Sequence, residues 1–240
     1  MNIAVVFGGR SNEHEISVIT ALEVCKALDT NKHKLIPVYI DIKGRWFTGE
    51  ELLKKDFYKN LPQSLEMVEE VALLPKPGTP GLKLVGEKGF SLFSSKKEFI
   101  EVDVFFPAFH GQFGEDGCIQ GLFEMADVAY TGCNVLTSAL AMDKFACKAM
   151  LQEQGIPVLP STVVLKKDFQ KNIQAVKANI LKTKGLESFP LFVKPLSLGS
   201  SIGVSKAGDE AALDVALAKV FQYDTEAIVE PCVVNKLEIN

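Results

Sequence analysis

Apolar residues fall in short runs separated by longer amphipathic stretches, and the alternation begins at the third residue. Ile3–Phe7 is a continuous apolar run closed by Gly8-Gly9, the pattern of a strand covered on both faces. A helix is predicted from about Asn12 to Leu28, with Ser11 at its cap and Ile16, Ile19, Leu22, Cys25 and Leu28 on one face. Leu35–Ile42 reads as a second strand, Val102–Phe106 as a third and Cys118–Met125 as an apolar helix. Strand, helix and strand in turn predict a parallel sheet with helices on its faces. Between them, residues 48–98 hold "PKPGTPG" and "SSKKE" and predict loops and short hairpins.

The pattern changes after Tyr130-Thr131-Gly132. A helix from about Thr137 to Gln154 should stop at Gly155 and Pro157. A strand (Thr162–Leu165), a helix (Phe169–Thr183), a hairpin over "FVKPLSLGSSIGVSK" (Phe192–Lys206), a helix (Glu210–Phe221) and a strand (Ala227–Glu230) follow. In that hairpin Leu191, Phe192 and Val193 predict one strand, Ile202 and Val204 the other. The fold class is α/β: a parallel-sheet N-terminal domain over 1–131, followed from 132 by a region that mixes helices with the hairpin. The chain stops at "NKLEIN" directly after a strand, which reads as a truncation.

Composition narrows the class. With 47% hydrophobic and 23% charged residues and a net charge of -4, the chain reads as an ordinary globular protein without the basic field that nucleic acid or an anionic membrane attracts. The start lacks the basic leader and long apolar region of a signal peptide, and no apolar run approaches a bilayer span. Five scattered cysteines without a C-x-x-C pair read as buried thiols of a cytoplasmic protein rather than a disulfide framework or zinc site.

Four stretches carry candidate chemistry. In "FGGRSNEHEIS" a glycine pair joins a buried strand to a helix N-terminus, at the strand end where open parallel sheets bind ligands. Glu13 and Glu15 there either stabilise the first helical turn or act on a ligand. "PAFHGQFGEDG" repeats the topology: His110 is a ligand-site candidate against a structural histidine, and Glu115 and Asp116 are candidates for capping the next helix. Gly111, Gly114 and Gly117 suggest a backbone not shaped for packing alone. "MDKFACK" sets Lys144 and Lys148 four apart on one helix face; a solvated face suits Lys148 better than Lys144, which follows the apolar "SALAM". The hairpin offers Lys194, the hydroxyls of Ser197, Ser200 and Ser201, and glycines that admit close approach. Such donors suit the oxygens of a triphosphate. There is no G-K-[ST] ending, so a flap over a nucleotide is predicted rather than a P-loop.

These stretches, extended as "VFGGRSNEHEIS", "HGQFGEDGCIQGLFE", "YTGCNVLTSALAMDK", "VKPLSLGSSIGV" and "IVEP", together resemble the D-alanine–D-alanine ligase family of the ATP-grasp superfamily. The resemblance makes 1–131 a Rossmann-like, pre-ATP-grasp substrate domain, 132–229 the central α+β ATP-grasp subdomain, and 230–240 the start of a truncated C-terminal ATP-grasp domain. It implies that Glu13 binds the amino group of the first D-alanine, with His110 and Gly111 beside that substrate. Lys144 and Lys194 match the two lysines on the ATP phosphates. Ser200, with Ser201 next to it, matches the hairpin serine that helps hold the loop closed and orders the substrate site, which makes Glu13 and Ser200 the catalytic candidates. Glu230 matches the acidic residue at the adenine pocket. Glu238 matches the ribose-binding glutamate, at a spacing in "EPCVVNKLE" that differs from members placing it sooner.

The implied reaction activates one D-alanine as an acyl phosphate with ATP, and a second D-alanine then displaces phosphate to form a peptidoglycan precursor. Two Mg2+ ions, or Mn2+, are implied, with no ligands for them in this chain and their acidic and asparagine ligands expected in a missing C-terminal part. The expectation is therefore weak substrate binding without turnover. The resemblance allows a homodimer. The rival readings are a ligase of the same fold joining D-alanine to D-lactate or D-serine, and a non-catalytic nucleotide- or amino-acid-binding module.

Overall fold

The first apolar run forms β1 (Asn2–Gly8), and its two faces meet different cores. Ala4 and Val6 pack with Ile36, Val38, Phe105 and Phe123 on one side, Val5 and Phe7 with Val18, Ala21, Leu22 and Tyr39 on the other. A strand covered on both faces has no polar side to show, hence the unbroken run. Phe7 is fully buried, so truncating it to alanine costs about 3–5 kcal/mol. The structure is a computed structural model that describes residues 1–79, 81–85, 98–233 and 237. It divides into two units, Met1–Ala139 and Leu140–Asn240.

In the first unit β1 is followed by α1 (His14–Ala27), β2 (Lys34–Ile40), β3 (Trp46–Thr48), α2 (Lys55–Lys59), β4 (Glu69–Leu73), β5 (Gly81–Leu84), β6 (Phe99–Glu101), β7 (Val104–Pro107), α3 (Cys118–Ala126) and α4 (Val135–Met142), whose last residues cross into the second unit. Among the described residues these strands form a seven-stranded sheet in the order β6-β5-β4-β3-β2-β1-β7. β1 runs parallel to β2 and β7, with Phe7 opposite Tyr39 and Val6 opposite Pro107. The Rossmann-like arrangement expected at this end is present. From β2 outward to β6 every pairing is antiparallel, so the region expected to hold loops and short hairpins instead extends the sheet. Residues 86–97 of that region lie outside the described residues.

Two further expectations are corrected here. The stripe assigned to α1 is right in part: Leu22 and Cys25 face the core, but Ile16 and Ile19 are exposed, and His14, Ser17, Val18 and Ala21 complete the buried face. Two polar residues occupy that face because both have buried backbone partners, described below, and a purely apolar count steps past them. The cysteines are free, but Cys25 alone is buried, and Cys118 and Cys133 are exposed.

The second unit runs α5 (Lys144–Glu153), β8 (Thr162–Leu165), α6 (Lys166–Lys171), α7 (Ile173–Lys182), β9 (Leu191–Pro195), β10 (Ser205–Ala207), α8 (Glu210–Val220) and β11 (Glu226–Pro231). Among the described residues its four strands, in the order β10-β9-β11-β8, form an antiparallel sheet. Ile180 of α7 and Leu213, Leu217 and Val220 of α8 join Leu191, Val193 and Val229 in one core. Each of the two long helices predicted after residue 131 is broken once. Asp143 accepts from the N–H groups of Phe145 and Ala146 and starts α5 afresh. Asn172 does the same for α7 through Ala175. A side-chain cap inside an apolar-periodic stretch offers the backbone an alternative to continuing the helix. Ile202 and Val204, read as strand, instead belong to the turns before β10.

Candidate functional site

In the first unit the candidate residues gather at the carboxyl ends of β1 and β7. Gly8 ends β1 at φ 89°, and a Cβ there would lie 2.3 Å from the Ile40 carbonyl oxygen, so only glycine fits the turn. Ser17, fully buried one turn into α1, ties the two strand ends together. Its Oγ accepts from the Gly8 N–H (2.8 Å) and donates to the Ala108 carbonyl (2.7 Å). His14 is fixed on both ring nitrogens, Nδ1 to the Gly9 carbonyl (2.7 Å) and Nε2 to the Tyr39 hydroxyl (2.9 Å). Burial first, then the charges of Asp41 and Glu15, push the Tyr39 hydroxyl pKa upward, so it stays a proton-bearing phenol.

Glu13 is 7% exposed, and the Ser11 Oγ accepts its N–H at 3.0 Å. Its carboxylate lies against the Gly111 backbone: a Cβ on Gly111, at φ 75°, would come within 2.6 Å of Glu13 Oε2 and of Ser11 Oγ. The structure therefore brings Glu13 and Gly111 together. His110, their neighbour in sequence, pairs its Nε2 with Thr20 Oγ1 at 2.8 Å. Glu15 is exposed on the outside of α1. Glu115 takes the Gly111 N–H at 2.6 Å, and Asp116 takes those of Phe113 and Cys118. Asp116 thus reaches the first N–H of α3, while Glu115 closes the loop on itself and does not cap the helix, whose cap position is Gly117. The other two glycines of this loop do serve packing: a Cβ on Gly114 would strike the Phe109 Cβ at 2.1 Å, and one on Gly117 the Val135 carbonyl at 2.9 Å.

In the second unit three lysines and one glutamate converge. Lys144, the first residue of α5, donates from Nζ to the carbonyls of Pro195 and Leu196, each at 3.1 Å, and of Leu198 at 2.6 Å. These three bonds pin the entry of the hairpin. Burial, then the nearby Lys194 charge, lower the Lys144 pKa. Glu230, 6% exposed on β11, accepts from Lys148 on one carboxylate oxygen and from Lys194 on the other, the latter at 2.6 Å. Burial alone would raise its carboxyl pKa, but the two lysine hydrogen bonds and charges outweigh it and hold the group below its ordinary value. The hairpin stem is anchored by buried Leu196 and Leu198 and by Asp224, which accepts the Ser197 N–H. Its tip, Gly199–Ser201, is exposed, with Ser200 and Ser201 at φ 48° and 57°.

Lys148, assigned above to a solvated face, is instead an ion-pair partner of a buried carboxylate. The only signal in the sequence was its spacing of one turn from Lys144. His14 and Ser17 were likewise missed, although each keeps helical phase with Ala21 and Cys25. Glu238 lies outside the described residues.

The family models for the N-terminus and the C-terminus of D-Ala–D-Ala ligase match residues 2–133 and 150–240. The chain belongs to the D-Ala–D-Ala ligase family. A ligase of this family from Chlorobium phaeovibrioides is 35% identical over 98% of the chain, which covers 63% of that relative. The solved D-alanine–D-alanine ligase of Coxiella burnetii superposes with a TM-score of 0.78 at 31% identity, over 98% of this chain and 64% of that one. The VanG D-Ala:D-Ser ligase of Enterococcus faecalis superposes at 0.77 and 32%, over 97% and 63%. The chain thus spans a little over three fifths of the relatives it matches. The α/β fold expected from the alternation of elements is that of these ligases.

Proposed function

We propose that the chain supplies the amino-acid and nucleotide sites of an ATP-dependent ligase that joins two D-alanines for peptidoglycan synthesis. The observation that carries this reading is the Lys144, Lys148, Lys194 and Glu230 cluster at the base of the serine hairpin, in a chain of this family. The ammonium groups of Lys144 and Lys194 beside exposed hydroxyls suit polyphosphate oxygens, whose charge must be neutralised before a nucleophile can approach.

In the proposed reaction a carboxylate oxygen of the first D-alanine attacks the γ-phosphorus of ATP, and the bond to ADP breaks. The amine of a second D-alanine then attacks the acyl carbon; phosphate leaves, and the amine gives up a proton. Glu13 would hold the first ammonium group, with Gly111 and His110 beside it; Lys144 and Lys194 would meet the phosphates. Ser200 and Ser201 would close over them and keep water from the acyl phosphate. Glu230 would face adenine and Glu238 the ribose. Among the described residues no three of His, Cys, Asp and Glu converge on a site for an ion. Mg2+ or Mn2+ is proposed to arrive with ATP, since such an ion is held largely by phosphate oxygens with one or two carboxylates, and no step here runs through a metal.

The second substrate is proposed as D-alanine, with D-serine and D-lactate as the competitors to test. A cytoplasmic homodimer is the proposed setting, and five free thiols agree with a reducing compartment. Among the described residues no helix is long and apolar enough to cross a membrane. Calorimetry of the chain with ATP and with D-alanine tests the reading: saturable binding of both supports it, and binding of neither refutes it. Calorimetric binding of D-alanine, D-serine and D-lactate in the presence of ATP then ranks the second substrates.

A further inference from the structure

We infer that Lys148 is a positioning residue for nucleotide base selection, acting through Glu230. This rests on the nucleotide-binding reading above and adds a residue to it. Glu230 is the buried acid of the second unit's strand β11, and a lone carboxylate there would be pushed toward its neutral form. Two lysines prevent that from different elements: Lys148 from α5 on Oε1 and Lys194 from β9 on Oε2. Lys144 also faces this group, and the charge of Glu230 reaches it, as does that of Asp224.

The two partners are not equivalent. Lys194 is the more open, with 28% of its side chain exposed against 15% for Lys148. Phosphate is a stronger competitor for an accessible ammonium than for a more deeply buried one. When Lys194 turns toward phosphate, Lys148 is the partner that keeps Glu230 ionised and aimed. An ionised carboxylate only accepts hydrogen bonds. Adenine offers an exocyclic amine donor where guanine has a carbonyl acceptor. A protonated or swung-out Glu230 loses that distinction, so the hold on Oε1 sets the preference for ATP over GTP.

The test is calorimetric binding of ATP and of GTP to the 240-residue chain and to Lys148→Met, Lys148→Gln and Lys148→Arg, between pH 5 and pH 8, with thermal melts alongside. For Lys148→Met, ATP affinity falls about tenfold at pH 7 while GTP affinity changes less than about twofold, in keeping with loss of an aimed, charged acceptor. The Glu230 carboxyl, relieved of one lysine, titrates higher, so ATP affinity in this variant drops at a higher pH on acidification than in the unaltered chain. Lys148→Arg restores both the base preference and the pH profile. Lys148→Gln, which keeps a donor without the charge, carries the same comparison if the methionine variant fails to fold. Unchanged base preference and pH profile in folded variants, whatever the melting temperature does, make Lys148 a packing residue and overturn the inference while leaving the ligase reading intact. Failure of the unaltered chain to bind ATP overturns both.

Discussion

Replacing Ser17 with alanine removes one oxygen atom and almost no apolar surface, yet it should be among the costliest substitutions in the first unit. The Ser17 hydroxyl takes the place of the next rung of the β1–β7 ladder. Ala108 N–H donates to Val6, and beyond it Gly8 N–H reaches the Ala108 carbonyl only through Oγ, at 2.8 and 2.7 Å. Alanine leaves a buried donor and a buried acceptor without that partner, each worth about 1–3 kcal/mol. Allowing for partial relaxation, the loss is about 2–4 kcal/mol, or about 5–12 °C in Tm at this chain length. Trp46 is the single tryptophan and sits on β3 of the same sheet, so its fluorescence in urea follows this unit specifically. A midpoint lowered by about 1–2 M with the slope unchanged is expected, from a slope of about 2 kcal/mol per M. The same variant should weaken the proposed D-alanine binding, because the Glu13 and Gly111 loops leave from the two strand ends that Ser17 joins. A stability change below about 0.5 kcal/mol, the range of ordinary surface substitutions, would refute the bridging role.

Asp143→Ala removes the acceptor for two N–H groups at the start of α5 and should cost about 1 kcal/mol, with Asp143→Asn milder, as measured by thermal denaturation. Because the Glu230 pKa is depressed in the fold, its ionised form stabilises the second unit above the unfolded value of 4.5. That contribution is lost as pH falls from 4.5 through the lower folded value; circular dichroism on acidification should show the loss, and Glu230→Gln should abolish this component. Burial pushes the Cys25 thiol up to about 11, so at pH 8 its alkylation by iodoacetamide, read on the Cys25 peptide by mass spectrometry, should wait for unfolding and share the Trp46 midpoint in urea; labelling of Cys25 as fast as the exposed Cys118 and Cys133 contradicts its burial. Lys144→Met removes the ammonium donor from three hairpin carbonyls, of which only Leu196 keeps the Lys144 backbone N–H, and should raise the rate of limited proteolysis at Gly199–Ser201 by about tenfold, as expected if local opening becomes easier by roughly 1.4 kcal/mol.

Much of this protein is local and was readable from the chain. The unbroken run at β1, the glycine pair after it and the serine-rich hairpin each state a constraint within a few residues: no polar face, a turn only glycine can make, a dense set of donors. Lys144 and Lys194 could be selected from their neighbours for the same reason. The tertiary structure decided what depends on partners distant in sequence. His14 and Ser17 look like interruptions of a helical stripe until Tyr39 and Ala108 are brought beside them. Lys148 looks solvated until β11 delivers Glu230, 82 residues later. The weak segments after residue 45 carry too little period to read as strands, and they become strands by pairing outward from β2. A periodic pattern reports which face of an element is apolar; it does not report which polar group on that face will find its complement across the fold.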